Sequence, residues 1–179
     1  MAGATYTVFE DKIEGEILYY FISEGNNKLI KAIQYLYVGD IKGSKMYNLG
    51  FGDYDEENEG INDSINTDNG DVYKVFNTVL STVPRFFASV TDAMLIVQGS
   101  DSTANFITEC RATCIRKCDE YCKKSNRRIN IYSGYVNKNF DALGKEFVFY
   151  GGLNDTDNKI ITKDYVLGEK YDAVLVLKK

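Results

Sequence analysis

Apolar residues in the first third of the chain alternate with polar ones or crowd into short β-branched and aromatic runs. Ile17–Ser23 (ILYYFIS) is such a run and predicts a strand. Glu24–Lys28 (EGNNK) is a turn signal, and Leu29–Val38 predicts a second strand hairpin-paired with the first. Gly39–Ser44 reads as a longer turn. Met46–Gly52 then puts Tyr47, Leu49 and Phe51 on one face at period two, which predicts a third antiparallel strand.

After Asp71 the period changes. Val72, Val75, Phe76, Val79, Leu80, Val83 and Phe87 form an apolar stripe at helical spacing. Pro84 is expected to kink that helix or end it early, because proline lacks the N–H that the helix uses. Ala93–Gln98 (AMLIVQ) reads as a short buried central strand. Gly99–Thr103 follows as a loop, and a second helix is expected to run to about Lys124. Ile129–Val136, Phe147–Tyr150 and Tyr171–Leu177 read as further strands, with Gly151–Lys159 as a loop. The order βββ–α–β–α–β plus C-terminal strands predicts an α/β (α+β) fold: a mixed, mainly antiparallel sheet with two helices packed on it. The same order occurs in ribonuclease-H-like folds, a topological similarity that carries no function. A single domain over 1–179 is expected.

Composition narrows the chemistry. The chain has no histidine, which removes the commonest general acid/base near neutral pH and every His-containing triad or zinc site. The net charge of −5 speaks against nonspecific binding to nucleic acid or an anionic membrane. Arg111, Arg116, Lys117, Lys123, Lys124, Arg127 and Arg128 make one basic stretch, which leaves nucleic acid open as a partner but not favoured. The longest apolar runs, such as Ile17–Ile22, are far short of the ~20 residues that span a bilayer. With no visible signal peptide and no disulfide framework, a cytoplasmic setting is expected.

Four cysteines, Cys110, Cys114, Cys118 and Cys122, recur every four residues. On one continuous helix the outer two would stand about 18 Å apart, too far to share a metal. A core stripe of small side chains is therefore expected rather than a metal or redox site.

Two other places invite a functional reading. The segment DYDEENEGINDSINTDNGD gathers acids without an intervening cation, so Asp53, Asp55 and Asp71, with Asp101 further on, are candidate ligands for a divalent metal. An EF-hand is excluded, since Ile65 and Thr67 stand at two of its acidic offsets. The plainer alternative is a solvated loop or hairpin with Asp71 or Asn69 capping the helix. The second place is the strand–loop–helix junction, where Gly99, Ser100, Ser102 and Thr103 are candidate ligand-binding residues for a small anion or nucleotide. Capping by Ser102 or Thr103 explains the same composition, and Asp101 would repel an anion.

Several pieces of the chain resemble an uncharacterised bacterial family of unknown function. They are FISEG at Phe21–Gly25, YNLGFGDYDEE at Tyr47–Glu57, TDNGD at Thr67–Asp71, VLSTV at Val79–Val83, QGS at Gln98–Ser100 and YDAVLVLKK at Tyr171–Lys179. The resemblance implies an intracellular bacterial or phage-related accessory protein and no established activity. The family pattern is arginine-rich just after the GS loop. Here Ala104, Asn105, Phe106 and Ile107 stand there, with the first arginine at Arg111, so any anion site those arginines serve is weakened. The leading reading is a non-enzymatic protein-interaction or ligand-binding module that needs no cofactor, with a protein partner or homo-oligomer. The rival is a metal-dependent phosphodiester-cleaving enzyme using the clustered carboxylates. A small-anion or nucleotide sensor at the Gly99–Thr103 loop is a third.

Overall fold

The computed structural model describes residues 3–41, 43–57, 60–62, 69–103, 105–113, 118, 121–155, 157 and 159–179. It is a mixed α/β fold with mainly antiparallel strands and packs as two compact units, 1–93 and 94–179.

In the first unit, β1 (Phe9–Ile13), β2 (Glu16–Glu24), β3 (Lys28–Ile41) and β4 (Ser44–Asp55) form an antiparallel meander, and β5 (Gly60–Asn62) pairs back on β4. Cross-strand partners such as Tyr19↔Ile33 and Leu49↔Tyr35 place the residues of period two on a common face. Helix α1 (Val72–Ser89) covers that face with Val75, Thr78, Val79, Thr82, Phe86 and Phe87. The Tyr35 ring stacks on Phe86 at 4.4 Å, and Tyr47 meets the same ring edge-on at 5.2 Å. The Tyr35 hydroxyl shares a 2.8 Å hydrogen bond with Thr82, so the polar tip is satisfied inside the core.

Pro84 does not end α1, which continues to Ser89. Phe86 and Phe87, beyond the proline, are fully buried. Burying each is worth about 1.5–3 kcal/mol, which offsets one lost backbone hydrogen bond. The sheet face away from α1 is open: Phe9, Ile13, Ile22, Ile30 and Leu36 share it and are 38–64% exposed. The expected polar connection from Asp53 to Asp71 is partly strand, because β4 runs to Asp55 and returns as β5. Its residues 58, 59 and 63–68 lie outside the described ones.

In the second unit β6 (Ala93–Gln98) pairs antiparallel with β9 (Ala173–Lys178), β9 with β7 (Phe147–Asn154), and β7 with β8 (Ile160–Asp164). β6 and β9 are apolar and buried almost throughout, as the continuous runs AMLIV and AVLV require. β7 extends into the expected GGLN loop, and β8 is a strand that no apolar run announces.

Two expected elements differ. Ile129–Val136 is not a strand but part of helix α3 (Arg127–Leu143). Its buried residues Ile129, Ser133 and Val136 lie three and four apart, so the helical face outweighs the apparent alternation of INIY. Helix α2 (Phe106–Thr113) stops well before Lys124. Cys114 lies outside the described residues, and Cys110, Cys118 and Cys122 are half-buried rather than core. The 18 Å separation assumed an uninterrupted helix; without one, Sγ of Cys110 and Sγ of Cys122 lie 3.7 Å apart. Among the described residues, no helix is long and apolar enough to cross a membrane.

Candidate functional site

Asp71 immediately precedes α1, where an acid suits the helix dipole. Its carboxylate does not cap the helix through a side-chain hydrogen bond. Oδ2 instead accepts from the Tyr6 hydroxyl at 2.7 Å and from the Ser23 hydroxyl at 2.6 Å. Ser23 in turn accepts from Asn69 Nδ2 at 2.8 Å. The Asn69 side chain reaches on to the β2–β3 turn, accepting from the Asn27 N–H at 2.7 Å and donating to the Asn27 carbonyl at 2.9 Å. The Asn69 carbonyl accepts from the Asn26 N–H at 2.8 Å. It rests directly on Gly25, where any Cβ would collide with it. The FISEG and NGD segments are thus stitched together by a chain of polar side chains.

Lys31 extends this cluster. It stands opposite Asp53 across β3 and β4, and the two form a buried ion pair. The Lys31 charge is also felt at Asp71. Burial alone would raise the Asp71 pKa, but the Ser23 and Tyr6 hydrogen bonds, its own N–H and Lys31 together hold it below the ordinary aspartate value. Burial, with Asp71 beside it, pushes the Tyr6 phenol up. Each carboxylate here already has protein donors, so the cluster acts as a clamp tying the N-terminal end of α1 to the meander. Asp55 lies apart on the β4–β5 hairpin, where Oδ1 accepts the Glu57 N–H at 3.0 Å. Among the described residues, no three His, Cys, Asp or Glu side chains come together so as to hold a metal.

The loop after β6 is built differently from a phosphate cradle. Ser100–Ser102 make one 3₁₀ turn. Oδ2 of Asp101 accepts the backbone N–H of Arg128, in the first turn of α3, at 3.0 Å. The Asp101 carbonyl accepts the Asn126 N–H at 3.0 Å. Arg128 Nη1 donates to the Ser100 hydroxyl at 2.8 Å. The protein's own carboxylate therefore occupies the positive end of α3, where an external anion would otherwise sit. A Cβ at Gly99 would run into Oδ1 of Asp101 and lie 3.0 Å from Cβ of Arg128, which accounts for glycine there. Thr103 leads into α2, with its carbonyl accepting the Phe106 N–H at 3.1 Å. Oδ1 of Asp101 and the Ser102 hydroxyl are over nine-tenths buried and have no hydrogen-bond partner among the described residues.

Next to this loop is a cavity of about 370 Å³. Ser125, Asn126 and Asn130 from the start of α3 form one side. Lys170, Tyr171 and Asp172, from the segment before β9, form the other, and Ile107, Tyr121 and Cys122 complete it. Ser125 connects cavity and loop, its hydroxyl donating to the Asp101 carbonyl at 3.4 Å. Tyr171 is fixed: its ring lies 5.0 Å from Tyr165 and its hydroxyl accepts the Val166 N–H at 2.8 Å. Asp172 is held by the Asn154 N–H at 2.8 Å. The Asn126 and Asn130 amides and the Lys170 ammonium supply several donors within one small volume.

A model of a family of unknown function, DUF6934, matches residues 4–107. The chain belongs to that family. The family match spans β1 to the start of α2, and so covers the whole Tyr6–Ser23–Asn69–Asp71 clamp and the Gly99–Thr103 loop. All four cysteines and most of the cavity lining lie beyond it. No curated protein and no solved structure matches the chain. Sequence position hid one residue beside the loop in particular: Arg128, which donates to the Ser100 hydroxyl from 28 residues away. Tyr6 and Ser23 were likewise invisible as partners of Asp71, being 65 and 48 residues away. The FISEG and NGD pieces contain Ser23 and Asp71, whereas no quoted motif contains Tyr6.

Proposed function

We propose that the chain is a non-enzymatic ligand-binding module whose site is the cavity between the start of α3 and the segment before β9. The observation that carries this reading is its polar lining: Ser125, Asn126, Asn130 and Lys170, with Asp172 held aside by the Asn154 N–H, around a space of about 370 Å³. Such a volume suits a small polar molecule, and Lys170 favours one with a carboxylate or phosphate group. The ligand position moves from the Gly99–Thr103 loop itself to its neighbour, because Asp101 holds the helix end. The reading keeps the intracellular, bacterial or phage-related setting that the motif resemblance suggests. Thermal-shift screening with inorganic phosphate, mononucleotides and small dicarboxylates tests it. A stabilising probe whose effect is lost in Asn130→Ala supports the reading, and an unchanged melting temperature with every probe counts against it.

A second reading, a homodimer joined through the open face of the first unit's sheet, is favoured by the five exposed apolar side chains there. It predicts that Ile22→Lys or Ile30→Lys converts a dimer to a monomer in light scattering. A wild-type monomer at high concentration removes it.

A further inference from the structure

Cys122 lines the proposed ligand cavity, and its thiol chemistry is independent of ligand binding there. Cys110 is in α2, and Cys122 lies in the irregular stretch 121–126 before α3. Their sulfurs lie 3.7 Å apart although the residues are twelve apart in sequence. Both side chains are half-buried, and Cys122 lines the cavity, which gives a small oxidant a route to it.

We propose that Cys110 and Cys122 are a redox-active pair that closes to a reversible disulfide when the chain meets a peroxide or a disulfide oxidant. The sulfurs must move from 3.7 Å to bonding distance, roughly 2.05 Å, an approach of under about 2 Å. Rotation of the two cysteine side chains about their Cα–Cβ bonds supplies it.

With hydrogen peroxide, one thiolate attacks the O–O bond, forming a sulfenic acid and releasing water. The second thiol then attacks that sulfur, the S–O bond breaks, and a second water leaves. Two thiols and one peroxide become one disulfide and two waters. With oxidised glutathione, the first thiolate displaces one glutathione and the second cysteine displaces the other. The two cysteines are oxidised and two glutathione thiols are formed. Because Cys122 and Ile107 both line the cavity, closing this bond ties its wall to α2.

The full chain, treated with hydrogen peroxide or a glutathione redox buffer, tests the proposal through thiol titration, intact mass and peptide mapping. The expected result is loss of two of the four thiols and of the mass of two hydrogens, with a Cys110–Cys122 linked peptide. Dithiothreitol should restore all four. Cys110→Ser and Cys122→Ser should abolish the linkage, while Cys114→Ser and Cys118→Ser leave it. Cys122→Ala, checked by circular dichroism for native folding, guards against loss through misfolding. A linkage through Cys114 or Cys118 would overturn the proposal. So would persistence of four thiols under oxidation, or tightly held zinc that shields the thiols until chelation.

Discussion

Asp71→Asn is the sharpest probe of the clamp in the first unit. The asparagine is isosteric, so packing is retained, but two hydroxyl hydrogen bonds that converge on one charged oxygen become neutral ones. A hydrogen bond to a charged group is worth about 1.5–3 kcal/mol and a neutral one about 0.5–1.5. Losing the charge from two such bonds should therefore cost about 2 kcal/mol, with partial solvent access holding the value to the lower end. The pH dependence gives a second, independent readout. The folded Asp71 pKa lies below its ordinary value, first despite burial and then because of the Ser23 and Tyr6 donors. Its stabilisation is therefore complete above the unfolded value, about 3.9, and is lost as pH falls through the folded pKa. Urea unfolding, followed by circular dichroism from about pH 7 downwards, should show the wild type and Asp71→Asn far apart near neutrality and converging below about pH 4. A variant within about 0.5 kcal/mol of wild type at neutral pH, or a gap that stays constant with pH, would refute the reasoning.

Further expectations follow from the same packing. Phe86→Ala removes the ring that Tyr35, Tyr47 and Phe87 contact and should cost about 3–5 kcal/mol in denaturant unfolding. Gly25→Ala should cost about 1–3 kcal/mol, because its Cβ collides with the Asn69 carbonyl and strains the clamp; a neutral result in the same assay would mean the contact is not fixed. Burial, helped by Glu10, pushes Tyr19 up to about 12. The stability this contributes is present below the unfolded tyrosine value near 10 and is lost between there and about pH 12, so Tyr19→Phe should flatten alkaline unfolding over that window.

The meander, α1 and β6 were legible because each has a single dominant period and a continuous apolar face. β1 was not, since Phe9–Ile13 is exposed at every position and is a strand only by pairing with β2. α3 was misread because Ser133 and Gly134 blur the helical repeat, and only tertiary burial shows that Ile129, Ser133 and Val136 share a face. At the candidate sites, sequence picked out Asp71, Asp101 and the GS loop as positions of interest. It could not show that Asp71 answers to Tyr6 and Ser23, or that Asp101 serves α3 rather than α2, because those partners are joined only by folding. The cavity left even less trace: its lining comes mainly from residues 121–130, at the end of an expected helix, and 170–172, at the start of an expected strand, which no motif joins. The cysteines failed for a related reason, since their spacing was interpreted on one continuous helix, whereas Cys118 and Cys122 lie outside any helix.

The ligand-binding reading rests on the cavity, and backbone amide NMR tests it most directly. Titration with inorganic phosphate, a mononucleotide and a small dicarboxylate should give, for at least one probe, saturable shifts centred on Ser125, Asn126, Asn130 and residues 170–172. Shifts centred elsewhere, or none at millimolar concentration with any of the three, would contradict it.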